Sequence, residues 1–208
     1  MTIRMTFRYA IKAMPLAFFL LSAVALVSAD SGPLQVIQSG TDRALDILHS
    51  SQAGKAPTIR QRRAEILTIV DEYFDFYEMG KRALGRPWKD QPAQKQKEFV
   101  DLFKQLLFNT YVDRVETYTG SEEKVVYDNE EIKGTYAFVK TRVLNYKNTD
   151  VAVDYRLQLK DGKWKVYDVI VEGVSLVSNY RSQFNSILAN EDFDALLKKL
   201  REKVAEWK

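Results

Sequence analysis

The sequence predicts an α+β fold: an antiparallel four-stranded meander with helices packed on one face. Three observations carry this. Up to about residue 118 the apolar residues recur at helical spacing, from Lys124 to Val171 the period changes to two, and after Gly173 it becomes helical again. Strands that follow one another through short turns pair as hairpins. A sheet with one apolar face must cover that face with helices.

The first residues read as an address. Arg4, Arg8 and Lys12 form a basic start, Ala13 to Val27 is an apolar run, and Val27-Ser28-Ala29 is a small-residue cleavage site. This pattern predicts a secretory signal peptide over residues 1–29, cut after Ala29, with residues 30–208 forming a single domain. The alternative, an uncleaved membrane anchor, fits less well because the apolar run is short and polar sequence follows. The chain has 31 basic and 28 acidic residues, and three of the basic ones lie in the leader, which leaves 28 of each sign in the mature part. Overall charge therefore gives no case for nucleic acid. There is no cysteine. In an oxidising compartment the core alone must hold the fold.

The helical half follows. Pro33 suits the first turn of a helix, where its missing amide costs nothing, and Leu34, Ile37, Leu45 and Leu48 share a stripe behind it. Gly54-Lys55-Ala56-Pro57 breaks that helix. Thr58 and Gln61 have the spacing of a capping box for the next one, which carries Ile59, Ile66, Ile69, Val70 and Tyr73. Phe74 to Leu84 is aromatic-rich and stops at Gly85-Arg86-Pro87. The longest helix is expected from about Pro92 to Tyr118. Its face is broad: Phe99, Phe103, Leu107 and Tyr111 form one stripe, which Phe108 and Val112 widen. Such a face meets more than one layer, or borders a cavity as well as a core.

The strands are expected at Lys124–Tyr127, Thr135–Tyr146, Thr149–Leu159 and Lys163–Val171. Val151, Val153, Tyr155, Leu157 and Leu159 alternate with Ala152, Asp154, Arg156 and Gln158, so one face is buried and one is wet. Asp161-Gly162 signals a type I′ hairpin, and Lys147-Asn148 supplies a second turn. Gly173 ends the last strand, and Ser175 is placed to cap a helix carrying Leu176, Val177, Tyr180, Phe184, Ile187 and Leu188. Asn190 can cap the final helix, whose stripe is Phe193, Leu196, Leu197, Leu200, Val204 and Trp207.

The strand-to-helix corner is also where a family becomes recognisable. The run Val171-Glu172-Gly173-Val174-Ser175-Leu176-Val177, followed by Asn179-Tyr180-Arg181 and Gln183-Phe184, resembles the signature of the MlaC/toluene-tolerance family. Phe74-Asp75-Phe76, Met79, Leu84-Gly85 and Trp88 agree with it. The resemblance implies a nuclear-transport-factor-2-like arrangement, in which a curved sheet and helices enclose an apolar cavity. It also implies a periplasmic phospholipid carrier that shuttles lipid between outer and inner membranes and maintains outer-membrane lipid asymmetry. The partners implied are an inner-membrane ABC transporter with its ring-forming substrate-binding subunit, and an outer-membrane lipoprotein–porin complex. No cofactor is expected; phospholipid is the cargo.

Chemistry-bearing motifs are sparse. His49 is the only histidine, and no Gly-rich phosphate loop or metal-ligand spacing occurs. Asp168 and Glu172 on the last strand, with Asp154 nearby, leave open a cavity enzyme of isomerase or dehydratase type. The alternative is that they hold the strand–helix corner, with Arg181 as a partner. Arg181 is also the best head-group candidate. An adaptor without ligand is a third possibility. For a tail-binding cavity the expected wall is Phe76, Met79, Phe103, Leu107 and Tyr111 from the helices, with Val139, Val153, Tyr155 and Val169 from the sheet. The same residue types would equally serve as ordinary core.

Overall fold

Local signals place most elements. The computed structural model describes residues 31–50, 58–116 and 123–207, so the predicted leader and its cleavage site lie outside the described residues. Helix α1 spans Pro33–Ser50 and begins at its proline; α2 spans Ile59–Tyr73. The Thr58 hydroxyl accepts from the Gln61 amide, and the Gln61 side chain accepts in return from the Thr58 amide, which completes the capping box. Asp75 caps α3, Phe76–Leu84, by accepting from the Glu78 amide at 3.0 Å. That helix ends at Gly85, whose φ of 70° favours glycine. A Cβ there would also meet the Arg181 guanidinium, 3.1 Å from Nε. A short 3₁₀ turn, Arg86–Asp90, leads into α4, Ala93–Glu116.

The sheet is a consecutive antiparallel meander: β1 Lys124–Lys133, β2 Tyr136–Tyr146, β3 Thr149–Lys160, β4 Lys163–Val171 and β5 Val174–Ser175. Asp161 and Gly162 have φ of 50° and 76°, and Lys147 and Asn148 have 51° and 63°, so both hairpins turn through left-handed residues. Two differences from the sequence reading stand out. First, among the described residues the sheet has five strands. The chain turns at Glu172-Gly173 and adds the two-residue β5 to β4 before α5 begins. Second, β1 runs six residues past Tyr127. Its far half lies at the sheet edge with exposed side chains, so no alternation announces it; pairing with β2 holds it instead. At its register shift, Asp128 accepts two bonds from Arg142, each 2.8 Å.

Helix α5 spans Leu176–Leu188 and is capped by Ser175; α6 spans Phe193–Ala205. The cap of α6 is Asp192, which accepts from the Ala195 amide at 2.8 Å, not Asn190. Asp192 stands directly before the first helical residue, where its carboxylate reaches the free amides.

Two solid cores result among the described residues. The larger lies among α3, α4, α5 and α6, around fully buried Phe99, which stacks on Phe103 and meets Phe184 edge-on at a centroid distance of 5.4 Å. The smaller lies where the first turns of α1 cross the sheet: Ile37 packs on Ala137, Val139, Leu157 and Val166. Between them the molecule is not filled.

Candidate functional site

The unfilled space is an apolar cavity of about 590 Å³. Its sheet wall follows from register. Val125 pairs with Val143, and Val143 with Val151. Val153 pairs with Val171, and Tyr155 with Val169. Residues paired across antiparallel strands share a face, so these form successive rows of one wall, and all of them line the cavity. Most are valine, too short to reach the helices opposite.

Helices α1 to α4 supply most of the helical wall. The second half of α1 supplies Thr41, Ala44, Leu45 and Leu48, and α2 supplies Ile66 and Val70. Phe76 and Met79 come from α3, with Phe74 just before it; Leu107, Phe108, Tyr111 and Val112 come from the last turns of α4. Val174, Leu176 and Asn179 close one side at the β5–α5 corner, and Tyr146 borders the β2–β3 turn.

No charged side chain lines the cavity among the described residues; its polar groups are hydroxyls and one amide. Burial, with smaller contributions from Tyr127 and Asp154, pushes the Tyr155 phenol up to about 12, so it stays neutral. Burial likewise raises Tyr127, whose hydroxyl is hydrogen-bonded to Thr41. Such a lining can bury hydrocarbon. It offers no charged acid or base to a substrate.

A sequence model of one family, described as MlaC protein, matches residues 38–202. The chain belongs to the MlaC family. Two relatives of known character are similar to it over nearly their whole length. The intermembrane phospholipid transport system binding protein MlaC of Haemophilus influenzae is 25% identical over 207 residues, covering 95% of this chain and 93% of that protein. A phospholipid-binding protein from Ralstonia solanacearum, solved in complex with a phospholipid, superposes with a TM-score of 0.71 at 25% identity, covering 86% of this chain and 98% of that one.

In this MlaC-family fold, seven of the nine expected wall residues do line the cavity: Phe76, Met79, Leu107, Tyr111, Val153, Tyr155 and Val169. Two do not. Phe103 is 1% exposed and sits in the helical core, edge-on to Tyr180 at 5.2 Å and to Phe184 at 5.6 Å. It points one turn away from Leu107, toward α5. Val139 is fully buried in the smaller core, beneath Ile37. The contributions of α1 and α2 were missed. The α1 stripe containing Leu45 and Leu48 was visible, but a stripe alone does not tell a wall from a core.

The two carboxylates of the last strand and its turn are engaged in bonds that hold the strand–helix corner. Asp168 is 2% exposed and accepts from Arg156 Nη1 at 3.0 Å, Ser175 Oγ at 2.7 Å and the Val177 amide at 3.1 Å. Its charge-assisted bonds fix the start of α5 to the sheet. Glu172 accepts from the Ala152 amide. Neither residue lines the cavity. The partner of Asp168 is Arg156, across the strands, rather than Arg181, which rests against Gly85 and is not on the cavity wall. His49 lies in the last turn of α1, with its side chain outside the described residues.

Proposed function

We propose that this chain is a periplasmic phospholipid carrier. The observation that carries the reading is the cavity of about 590 Å³ with no charged wall residue among the described ones, lodged between sheet and helices. Its size is that of a ligand site rather than a packing defect. Membership of the MlaC family and likeness to a protein solved with bound phospholipid support the choice of cargo. Acyl chain enters the cavity, and the head group stays at the mouth. The predicted leader over residues 1–29 would deliver the protein to the periplasm.

The energetics shape how such a carrier works. Burying a tail of about sixteen carbons is worth about 12 kcal/mol relative to water, at about 0.8 kcal/mol per methylene. The lipid, however, leaves a bilayer that is equally apolar. The net hydrophobic gain is near zero, so loading and unloading are both possible without an energy source in the carrier. Direction then comes from partners. An outer-membrane lipoprotein–porin complex and an inner-membrane ABC transporter with a ring-forming substrate-binding subunit would fill these roles, and shuttling between them would maintain outer-membrane lipid asymmetry. The engaged state of Asp168 and Glu172 supports a binding protein over a cavity enzyme.

The test is extraction. Purified, lipid-stripped protein is incubated with phospholipid vesicles, re-isolated, and assayed for bound phosphorus. Slow uptake approaching a fixed stoichiometry is expected, accelerated by the membrane partner. Protein that stays empty after prolonged incubation would rule the reading out.

A further inference from the structure

We infer that Tyr155 sets the length of acyl chain this cavity admits. The inference rests on the carrier reading above and adds a residue-level specificity to it. It follows from where the lining stops. On β2 Val143 lines the cavity, whereas Thr141, two residues deeper on the same face, is 1% exposed and does not. On β3 the lining ends at Tyr155, and Leu157 is fully buried. On β4 it ends at Val169, and Val166 is fully buried. On α1 it ends at Thr41; Ile37, one turn earlier, belongs to the smaller core. The lining of β3 and β4 thus ends in one row, at the paired Tyr155 and Val169, while β2 stops two rows earlier, at Val143, and its Val139 opposite Tyr155 is already fully buried; beyond that row lies close-packed side chain. The cavity has a floor.

Tyr155 is the largest side chain the sheet places on that floor. It is held from both sides, opposite Val139 on β2 and Val169 on β4. Beneath it the next residue on its own face is buried Leu157. A well-packed layer of this kind does not yield readily to an inserted chain, because forcing extra methylenes into it strains its neighbours. A tail that reaches Tyr155 therefore cannot go deeper, and any surplus length projects from the mouth into water.

That surplus discriminates between lipids. A methylene inside the cavity is as well buried as it was in the bilayer, so it costs nothing to move. A methylene left in water loses its burial, which weakens retention about fourfold for each one. Species short enough to fit should be retained alike, and longer ones should fall off steeply.

The experiment offers lipid-stripped protein vesicles made of phosphatidylcholines with a graded series of saturated chain lengths in equal amounts. Retained species are then read by mass spectrometry. Wild type should show a length beyond which retention falls about fourfold per added methylene. Tyr155→Val lowers the floor and should move that break to longer chains. Val169→Phe raises the floor beside it and should move the break to shorter chains. Tyr155→Phe keeps the ring and should restore the wild-type break. Should Tyr155→Val melt before it can be loaded, Val169→Phe decides the matter by the same readout. If wild type retains all lengths equally, or if the break stays put in the folded variants, the inference is wrong while the carrier reading stands. Uptake of no lipid by wild type would instead overturn the carrier reading.

Discussion

Arg156 and Asp168 face each other across β3 and β4, with Nη1 and Oδ2 3.0 Å apart. The arginine side chain is 45% exposed and the aspartate 3%. The same carboxylate receives the Ser175 hydroxyl and the Val177 amide. One buried charge thus joins sheet, turn and helix at the corner that carries Leu176 and Asn179 to the cavity wall.

The first prediction follows from that arrangement. Asp168→Ala strips a partner from a buried amide and removes a charged acceptor, so it should cost about 2–3 kcal/mol. Asp168→Asn, which still accepts from the amide, should cost less. Urea denaturation of both variants checks the order. Equal and negligible losses would mean that the network contributes little to stability.

Cavity and core should respond in opposite ways. Val153→Trp projects into empty space. It should therefore escape most of the about 1–3 kcal/mol that overpacking a solid core costs, while bound lipid falls. Phe103→Ala should destabilise by about 3–5 kcal/mol because it leaves a void among Phe99, Tyr180 and Phe184, yet the variant that remains folded should keep its lipid. Melting curves and lipid content, measured together on both variants, separate the two roles.

That contrast also marks how far the sequence could be read. The turns were legible because their chemistry is local: Asp161-Gly162 and Thr58 with Gln61 act through neighbours a few residues away. Even the pairing of sheet rows follows once the strands alternate. Phe103 and Leu107 were not separable, being apolar residues one turn apart on one helix. Only the placement of α5 decides that one meets Tyr180 and the other a void. Val139 and Val153 pose the same problem on the sheet, where the crossing point of α1 covers one and leaves the other open. The long β1 escaped notice because an exposed edge strand has no buried face to impose a pattern.

The alkaline limb of the stability profile should report on Tyr155. Its phenol ionises near 10 in the unfolded chain and at about 12 in the folded one. The unfolded state therefore loses its proton first, so stability is intact below about pH 10 and declines as pH rises toward about 12. Tyr127 and Asp154 oppose its ionisation further through their charge. Tyr155→Phe should flatten the decline in melting temperature over that range. An unchanged slope would show that the ring is not held in a desolvated site.

Head-group selectivity should be weak. With no charged residue on the described cavity wall and Arg181 lying against Gly85, nothing in the wall distinguishes one phosphate ester from another. Competition between phospholipids with the same chains and different head groups should give affinities within about tenfold, or about 1.4 kcal/mol. A stronger preference would require a charged site at the mouth.

The most direct measurement is native mass spectrometry of the protein purified gently from the cells that express it, followed by extraction and identification of what it carries. The account predicts a defined mass increment that extraction identifies as phospholipid, and that Val153→Trp diminishes without unfolding the protein. A wild-type protein that is folded and monodisperse but carries no lipid, and stays empty when offered vesicles, would contradict it.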